Sequence, residues 1–257
     1  MTALFDEIIF GPVHSRRLGL SLGVNLLPTH SKICNFDCVY CECGWNKERR
    51  GTAGFNKREE VLSALDAKLR AMALEGHLPD VITFAGNGEP TMHPHFESII
   101  EGTIALRDAL SPTSKVSVLS NATRIGVSSV RRALLRVDNN ILKLDASTTP
   151  LARAINHPAS NKYSVESLID NMIAFEGKLI IQSMFLRGHC DGASVDNMGE
   201  QNIAAWLNIL TRVRPSSVMV YSIDRDTPCP TLEKVPHDEL EEIAKRVRAI
   251  GVTCTVA

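Results

Sequence analysis

Ile33-Cys34-Asn35-Phe36-Asp37-Cys38-Val39-Tyr40-Cys41 places three thiols at spacings of four and then three, with an aromatic residue before the last. Three thiolates are an incomplete set for a structural zinc or an electron-transfer cluster, which normally take four protein ligands. An iron–sulfur cube held by three would keep one iron open to a substrate or cosubstrate, so the stretch points to chemistry at a metal. The competing reading is a zinc knuckle that recruits Cys43 as fourth ligand. Cys41 and Cys43 are nearly adjacent, which is awkward on one tetrahedral ion, and zinc motifs usually pair C-x2–4-C units. Cys43 is then a spare thiol. Cys190, Cys229 and Cys254 are scattered without CxxC spacing, which suits isolated thiols better than an auxiliary cluster shared with Cys43.

Outward from the cysteines, short apolar, β-branched runs recur at residues 20–27, 81–85, 116–120, 141–145, 179–185 and 218–223. They read as six buried strands. Helical periodicity lies between them: Val61, Leu65, Leu69 and Met72; Ile99, Ile100, Ile104 and Leu106; Val130, Leu134 and Leu135; Leu168, Met172 and Phe175; Ile203, Trp206, Leu207 and Leu210. Helical crossovers between apolar strands imply a parallel sheet covered by helices. The predicted class is α/β, a partial (β/α)6 TIM-like barrel with the cysteine loop after the first strand. A last helix around Leu240, Ile243, Val247 and Ile250 stops at Gly251, and residues 252–256 add a possible strand. No Pro/Gly/Ser-rich linker divides the 257 residues, so one domain over 1–257 is expected.

In parallel barrels the loops after the strands' C-terminal ends build the active site. The unusual polar groups fall there. The cysteines follow the first strand, Gly86-Asn87-Gly88-Glu89-Pro90 the second and Asn121 the third; Asp145 ends the fourth, Arg187 follows the fifth, and residues 221–225 end the sixth. Each alone is weak, because Gly-rich turns, strand-end Asn and buried Asp commonly serve as turns and caps.

Hydrophobic residues make up 44% of the chain, enough for a full core, and no apolar run approaches the ~20 residues that cross a bilayer. The first residues carry Asp6 and Glu7 and lack a secretory pattern. Seven cysteines, an odd number, with four between Cys34 and Cys43, do not form a secreted disulfide framework. A reducing cytoplasm and no membrane are the expectation. A net charge of −1 gives no global basic footprint for nucleic acid, although Arg16-Arg17, Lys47 with Arg49-Arg50, and Arg131-Arg132 are local candidates.

The cysteine motif after an apolar strand, together with Gly86 to Pro90, resembles the radical S-adenosylmethionine superfamily. The resemblance spans nearly the whole chain, and residues 10–19 look like the opening segment of the branch of wyosine-related iron–sulfur oxidoreductases. It implies a 4Fe–4S cluster on Cys34, Cys38 and Cys41, with S-adenosylmethionine chelated at the free iron and cleaved to a 5′-deoxyadenosyl radical that abstracts hydrogen from a small molecule, nucleoside or peptide. Gly86, Asn87, Gly88 and Glu89 correspond to the family's Gly-Gly-Glu-Pro segment, which receives the methionine ammonium. Asn87 departs from the second Gly, as in the wyosine-related branch. Tyr40 would lie near the adenine, Asn121 would reach the ribose or carboxylate, and Asp145 resembles a ribose ligand, with a capping role as its alternative. No clear adenine motif appears at the fifth strand, where Gln182, Met184 and Arg187 lie. A reduced flavodoxin or ferredoxin is the electron donor the family implies. Substrate contacts are sought among His14, Arg16, Arg17, Arg187, His189, Asp191, Arg225 and Asp226. Two alternatives remain at this level: an activase that installs a glycyl radical on a partner protein, and a noncatalytic metal-binding or redox-sensing module.

Overall fold

The computed structural model describes residues 4–15 and 18–257. In chain order its strands are β1 (Ile9–Ser15), β2 (Gly19–Val24), β3 (Val81–Phe84), β4 (Lys115–Ser120), β5 (Asn139–Lys143), β6 (Ile180–Met184), β7 (Leu186–Cys190), β8 (Ala193–Ser194), β9 (Ser217–Tyr221), β10 (Leu232–Lys234) and β11 (Cys254–Val256). The helices are α1 (Arg58–Glu75), α2 (Phe96–Leu110), α3 (Ser128–Leu134), α4 (Thr149–Asn156), α5 (Val165–Ile173), α6 (Glu200–Val213) and α7 (His237–Ala249).

All six expected strands form, as β2, β3, β4, β5, β6 and β9, and the expected extra strand is β11. They pair in parallel in the order β2-β3-β4-β5-β6-β9-β11. The result is an open, curled half-barrel of the expected TIM-like kind. Burial on both faces explains the continuous apolar runs: all four residues of β3 are buried. Helices cover the outer face with the side chains that the 3.6-residue period selects, Val61, Leu65, Leu69 and Met72 in α1 and Ile203, Trp206 and Leu210 in α6. Among the described residues no helix is long and apolar enough to cross a membrane.

Three features went unread in the sequence. β1 pairs antiparallel with β2 and makes an eighth strand at the edge of the sheet, so the cysteine loop follows the first parallel strand and the second strand overall. A small antiparallel sheet in the order β10-β7-β8 stands beyond the end of β6. The third is α4, only eight residues long, too short for periodicity to detect. Its start is marked by the Thr148 hydroxyl, which caps the Leu151 amide, and by Pro150 in the first turn.

Candidate active site

Between β2 and α1 the chain runs through the cysteine loop, and backbone pairing fixes where that loop lies. Ile33 forms a parallel bridge to Gly88: its amide donates to the Asn87 carbonyl (3.0 Å) and its carbonyl accepts from the Glu89 amide (3.0 Å). Cys34 is thereby set beside the turn after β3. The turn requires glycine at both flanks of Asn87. Gly86 and Gly88 have φ of +142° and +134°, and a Cβ on Gly88 would stand 1.9 Å from the Ile33 carbonyl oxygen.

The far side of the loop is held by α4. The last carbonyls of a helix have no partner within it, and here two of them accept from the cysteine loop: Ile155 from the Val39 amide and Asn156 from the Asp37 amide, both at 2.9 Å. Ala159 donates to the Asn35 carbonyl at 2.9 Å. Cys38 is therefore gripped on both sides by backbone bonds.

The sulfurs receive donors from several elements. Cys34 Sγ accepts from the Phe36 amide (3.4 Å) and lies 3.8 Å from Asn121 Nδ2. Cys38 Sγ accepts from Asn156 Nδ2 at 3.4 Å. The Lys32 side chain is only 1% exposed, and its ammonium donates to the Gly44 carbonyl at 2.7 Å and faces Asp37 at 3.4 Å. Burial works against the Lys32 charge, but the nearby sulfurs of Cys41, Cys34 and Cys38 with Asp37 hold its pKa above the ordinary value. Burial pushes the Cys34 thiol well up and the Cys38 thiol up to about 12. Cys41 goes the other way, to about 6, chiefly through a hydrogen bond from Cys43. Cys43, read as a spare thiol, thus serves its neighbour and also points at the Gly86 carbonyl (3.5 Å).

The polar residues at the strand ends are largely engaged by the chain itself. Glu89 is 2% exposed; Oε1 accepts from the Thr91 amide (3.0 Å), the Thr91 hydroxyl and the Ser120 hydroxyl (2.8 Å), and Oε2 from the Asn121 amide (2.6 Å). It is a buried strut between the β3 turn and the end of β4, not a surface carboxylate. Asn87 is fully buried and turned away from the cysteines: Oδ1 accepts from the Phe5 amide (2.9 Å), and Nδ2 donates to the carbonyls of Phe5 and Pro28 (both 2.8 Å). The departure from glycine thus ties down the N-terminal segment. Asp145 Oδ1 accepts from the Met184 amide (2.9 Å); Oδ2 accepts from the Tyr40 hydroxyl and Asn156 Nδ2 (2.8 Å), with Lys143 Nζ at 3.7 Å. Lys143 also lies 5.0 Å from the centre of the Tyr40 ring and donates to the Tyr221 hydroxyl at 3.2 Å. Asn121 reaches Asn35 Oδ1 at 2.7 Å.

Beside these groups the half-barrel encloses a chamber of about 490 Å3, within the range of small-molecule sites. Its wall includes Thr83, Leu119, Ile141, Gln182 and Met219 from the strands, with Phe10 and His14 from β1. Cys43 and Gly86 link it to the cysteine loop and the glycine turn, and Arg225, Asp226 and Glu42 bring charge to its exposed end. Of the candidate substrate contacts, His14, Arg225 and Asp226 therefore line the chamber. Arg187 pairs with Glu239 of α7, Asp191 turns the β7–β8 hairpin, and His189 lies on β7, none of them lining the chamber. Arg16 and Arg17 lie outside the described residues.

The donor set suits an iron–sulfur cube: three soft thiols on one loop, N–H donors on two of them, and a buried cation close enough to act electrostatically on all three. Among the described residues no three His, Cys, Asp or Glu side chains gather as a single ion would require. A cube asks instead for one sulfur at each of three corners. Asn156 and Lys32 had no signal in the sequence; Asn156 could have been found only by recognising the end of α4.

Comparison with known proteins agrees with this geometry. Residues 29–174 match the family model of the radical SAM superfamily. A UPF0026 protein from Helicobacter pylori is 29% identical over 242 residues, covering 93% of this chain and 72% of that protein. Among solved structures, a radical SAM methyltransferase from Sphaerobacter thermophilus superposes with a TM-score of 0.67 at 15% identity, over 92% of this chain and 65% of that one. TYW1 with a lysine-pyruvate adduct bound superposes at 0.62 and 16% identity, over 89% of this chain and 73% of that one. At such identities the structures establish the fold.

Proposed function

The chain belongs to the radical SAM superfamily, and from that premise we propose that Cys34, Cys38 and Cys41 hold a 4Fe–4S cluster at which S-adenosylmethionine binds, with the substrate in the chamber beside it. The observation that carries this reading is the Ile33–Gly88 bridge, which sets the thiols and the glycine turn side by side next to that chamber. The chain is thus an oxidoreductase or transferase of the superfamily, whose general reaction is radical chemistry initiated from S-adenosylmethionine.

When bound, the cluster and S-adenosylmethionine supply a one-electron carbon–sulfur cleavage and a 5′-deoxyadenosyl radical that takes hydrogen from the substrate. The residues of the chain position and shield. The backbone of the Gly86–Pro90 turn would receive the methionine ammonium, and Glu89 holds that turn to Asn121 by accepting four hydrogen bonds. Asn121 places its side-chain amide beside Cys34. Asp145 fixes the Tyr40 hydroxyl and the end of β6, so Tyr40 keeps its ring against the Lys143 ammonium, where it would border the ribose and adenine. The apolar chamber wall excludes water from reactive carbon, and its charged end at Arg225 and Asp226 admits polar substrate groups.

Superfamily members need a reductant, and for this chain we assign that role to a reduced flavodoxin or ferredoxin. A reducing cytoplasm is the matching compartment. The test is anaerobic reconstitution with iron and sulfide, then reduction with S-adenosylmethionine, following cluster absorbance and 5′-deoxyadenosine in the wild type and Cys38→Ala. Product in the wild type alone supports the reading; a wild type without cluster or 5′-deoxyadenosine overturns it. A large protein co-purifying with the chain and acquiring a glycyl radical would move the assignment to a glycyl-radical activase.

A further inference from the structure

Asn156 ends α4, and its side chain sits where three polar groups of the site meet. Nδ2 lies 3.4 Å from Cys38 Sγ, 3.2 Å from the Tyr40 hydroxyl and 2.8 Å from Asp145 Oδ2. Asn156 is 2% exposed, so no water competes for its amide. Its orientation is fixed twice more through the backbone: its carbonyl accepts from Asp37, one residue before Cys38, and the preceding Ile155 carbonyl accepts from Val39, one residue after. The helix end and the sulfur cannot move independently.

A hydrogen bond to a cluster sulfur draws electron density from it and favours the reduced, more negative cluster; such bonds, with burial and net charge, set cluster potentials. Asp145 pulls the other way. Its carboxylate is buried against the same amide, Oδ2 lying 2.8 Å from Asn156 Nδ2, with the Lys143 ammonium 3.7 Å away as a partial offset. The Asn156 amide stands between the two, donating to carboxylate and sulfur alike.

We propose that Asn156 is a positioning residue that tunes the reduction potential of the cluster, through its side-chain N–H on Cys38 Sγ. The inference rests on the assignment of Cys34, Cys38 and Cys41 as ligands. Asn121, at the longer distance of 3.8 Å from Cys34, makes the weaker counterpart on a second sulfur. Removing Asn156 takes a donor from the sulfur and leaves Asp145 less shielded, so both effects lower the potential.

The test is an anaerobic titration with a graded reductant, monitored by electron paramagnetic resonance, on the reconstituted wild-type chain, Asn156→Ala, Asn156→Gln and Asn121→Ala. Iron and sulfide are counted in each sample first. Asn156→Ala should lower the reduction equilibrium constant about tenfold, equivalent to about 59 mV for one electron. Asn156→Gln, which keeps an amide on a longer stem, should fall between Ala and wild type, and Asn121→Ala should shift less than Asn156→Ala. A purely structural role predicts lower cluster occupancy with an unchanged potential in the molecules that load, and that result overturns the proposal. If Asn156→Ala does not load, Asn156→Gln decides: a wild-type potential there overturns the proposal, and a lowered one supports it. A wild type that takes up no cluster refutes the ligand assignment first, and this inference with it.

Discussion

The ammonium of Lys32 lies 2.7 Å from the carbonyl oxygen of Gly44, so one buried cation ties together the two ends of the segment that carries all the candidate ligands. A hydrogen bond to a charged group is worth about 1.5–3 kcal/mol. Lys32→Met should therefore cost the metal-free protein about 2 kcal/mol in urea unfolding. In the reconstituted protein it should also reduce iron content, because three thiolates must then gather without a counter-charge. Equal midpoints and equal iron for variant and wild type would remove Lys32 from the account.

Asn87→Gly restores the residue found in the family's usual motif, yet it should destabilise this chain. It deletes the bonds to Phe5 and Pro28 at a fully buried position. At about 1 kcal/mol per bond the loss is about 2–3 kcal/mol. Hydrogen exchange at the Phe5 amide should accelerate before exchange in β4 does. Unchanged protection at Phe5 would count against the hook.

Two glycine substitutions separate backbone demand from composition. Gly88→Ala adds a Cβ 1.9 Å from the Ile33 carbonyl oxygen at a positive φ, whereas Gly54→Ala meets nothing within 4 Å. The first should yield protein that aggregates or binds less than half the wild-type iron; the second should match wild type in both respects. Iron assays after identical reconstitution decide the comparison, and a fully loaded Gly88→Ala would show that the bridge is dispensable.

Glu89 carries a pH signature. Burial raises its pKa above the ordinary 4.5, although four donors oppose the shift. The folded state then holds this proton to higher pH than the unfolded chain does. As pH rises from 4.5 towards the folded value, the unfolded state binds fewer protons and stability falls; below that window the contribution is complete. Glu89→Gln should remove this slope. It should also lower stability at every pH by about 1–3 kcal/mol, since an amide NH2 would face a donor in place of an acceptor. Denaturation midpoints across pH 4 to 8 for both proteins give the answer, and parallel curves would contradict it.

The half-barrel was readable because each of its strands is a compact apolar run and each long helix repeats its buried residues over several turns. The cysteines and Gly86–Pro90 were readable because their spacing is local. What escaped was short or reciprocal. β1 interrupts its apolar residues with Gly11 and Pro12, and α4 has only two turns. Whether Glu89 and Asp145 face a ligand or the chain depends on Ser120, Asn121, Asn156 and Met184, partners up to 39 residues away. The role of Asn87 was hidden for the same reason, since nothing near it in sequence shows that it meets Phe5.

The clamp of α4 on the cysteine loop also has a timetable. Asn156 follows Cys38 by 118 residues, which at roughly 5–20 residues per second is roughly 6–24 s of synthesis. Throughout that interval the thiols are already out on the nascent chain, with the piece that shapes their loop still to come. Metals and oxidants that arrive in that interval meet thiols whose loop α4 has not yet shaped.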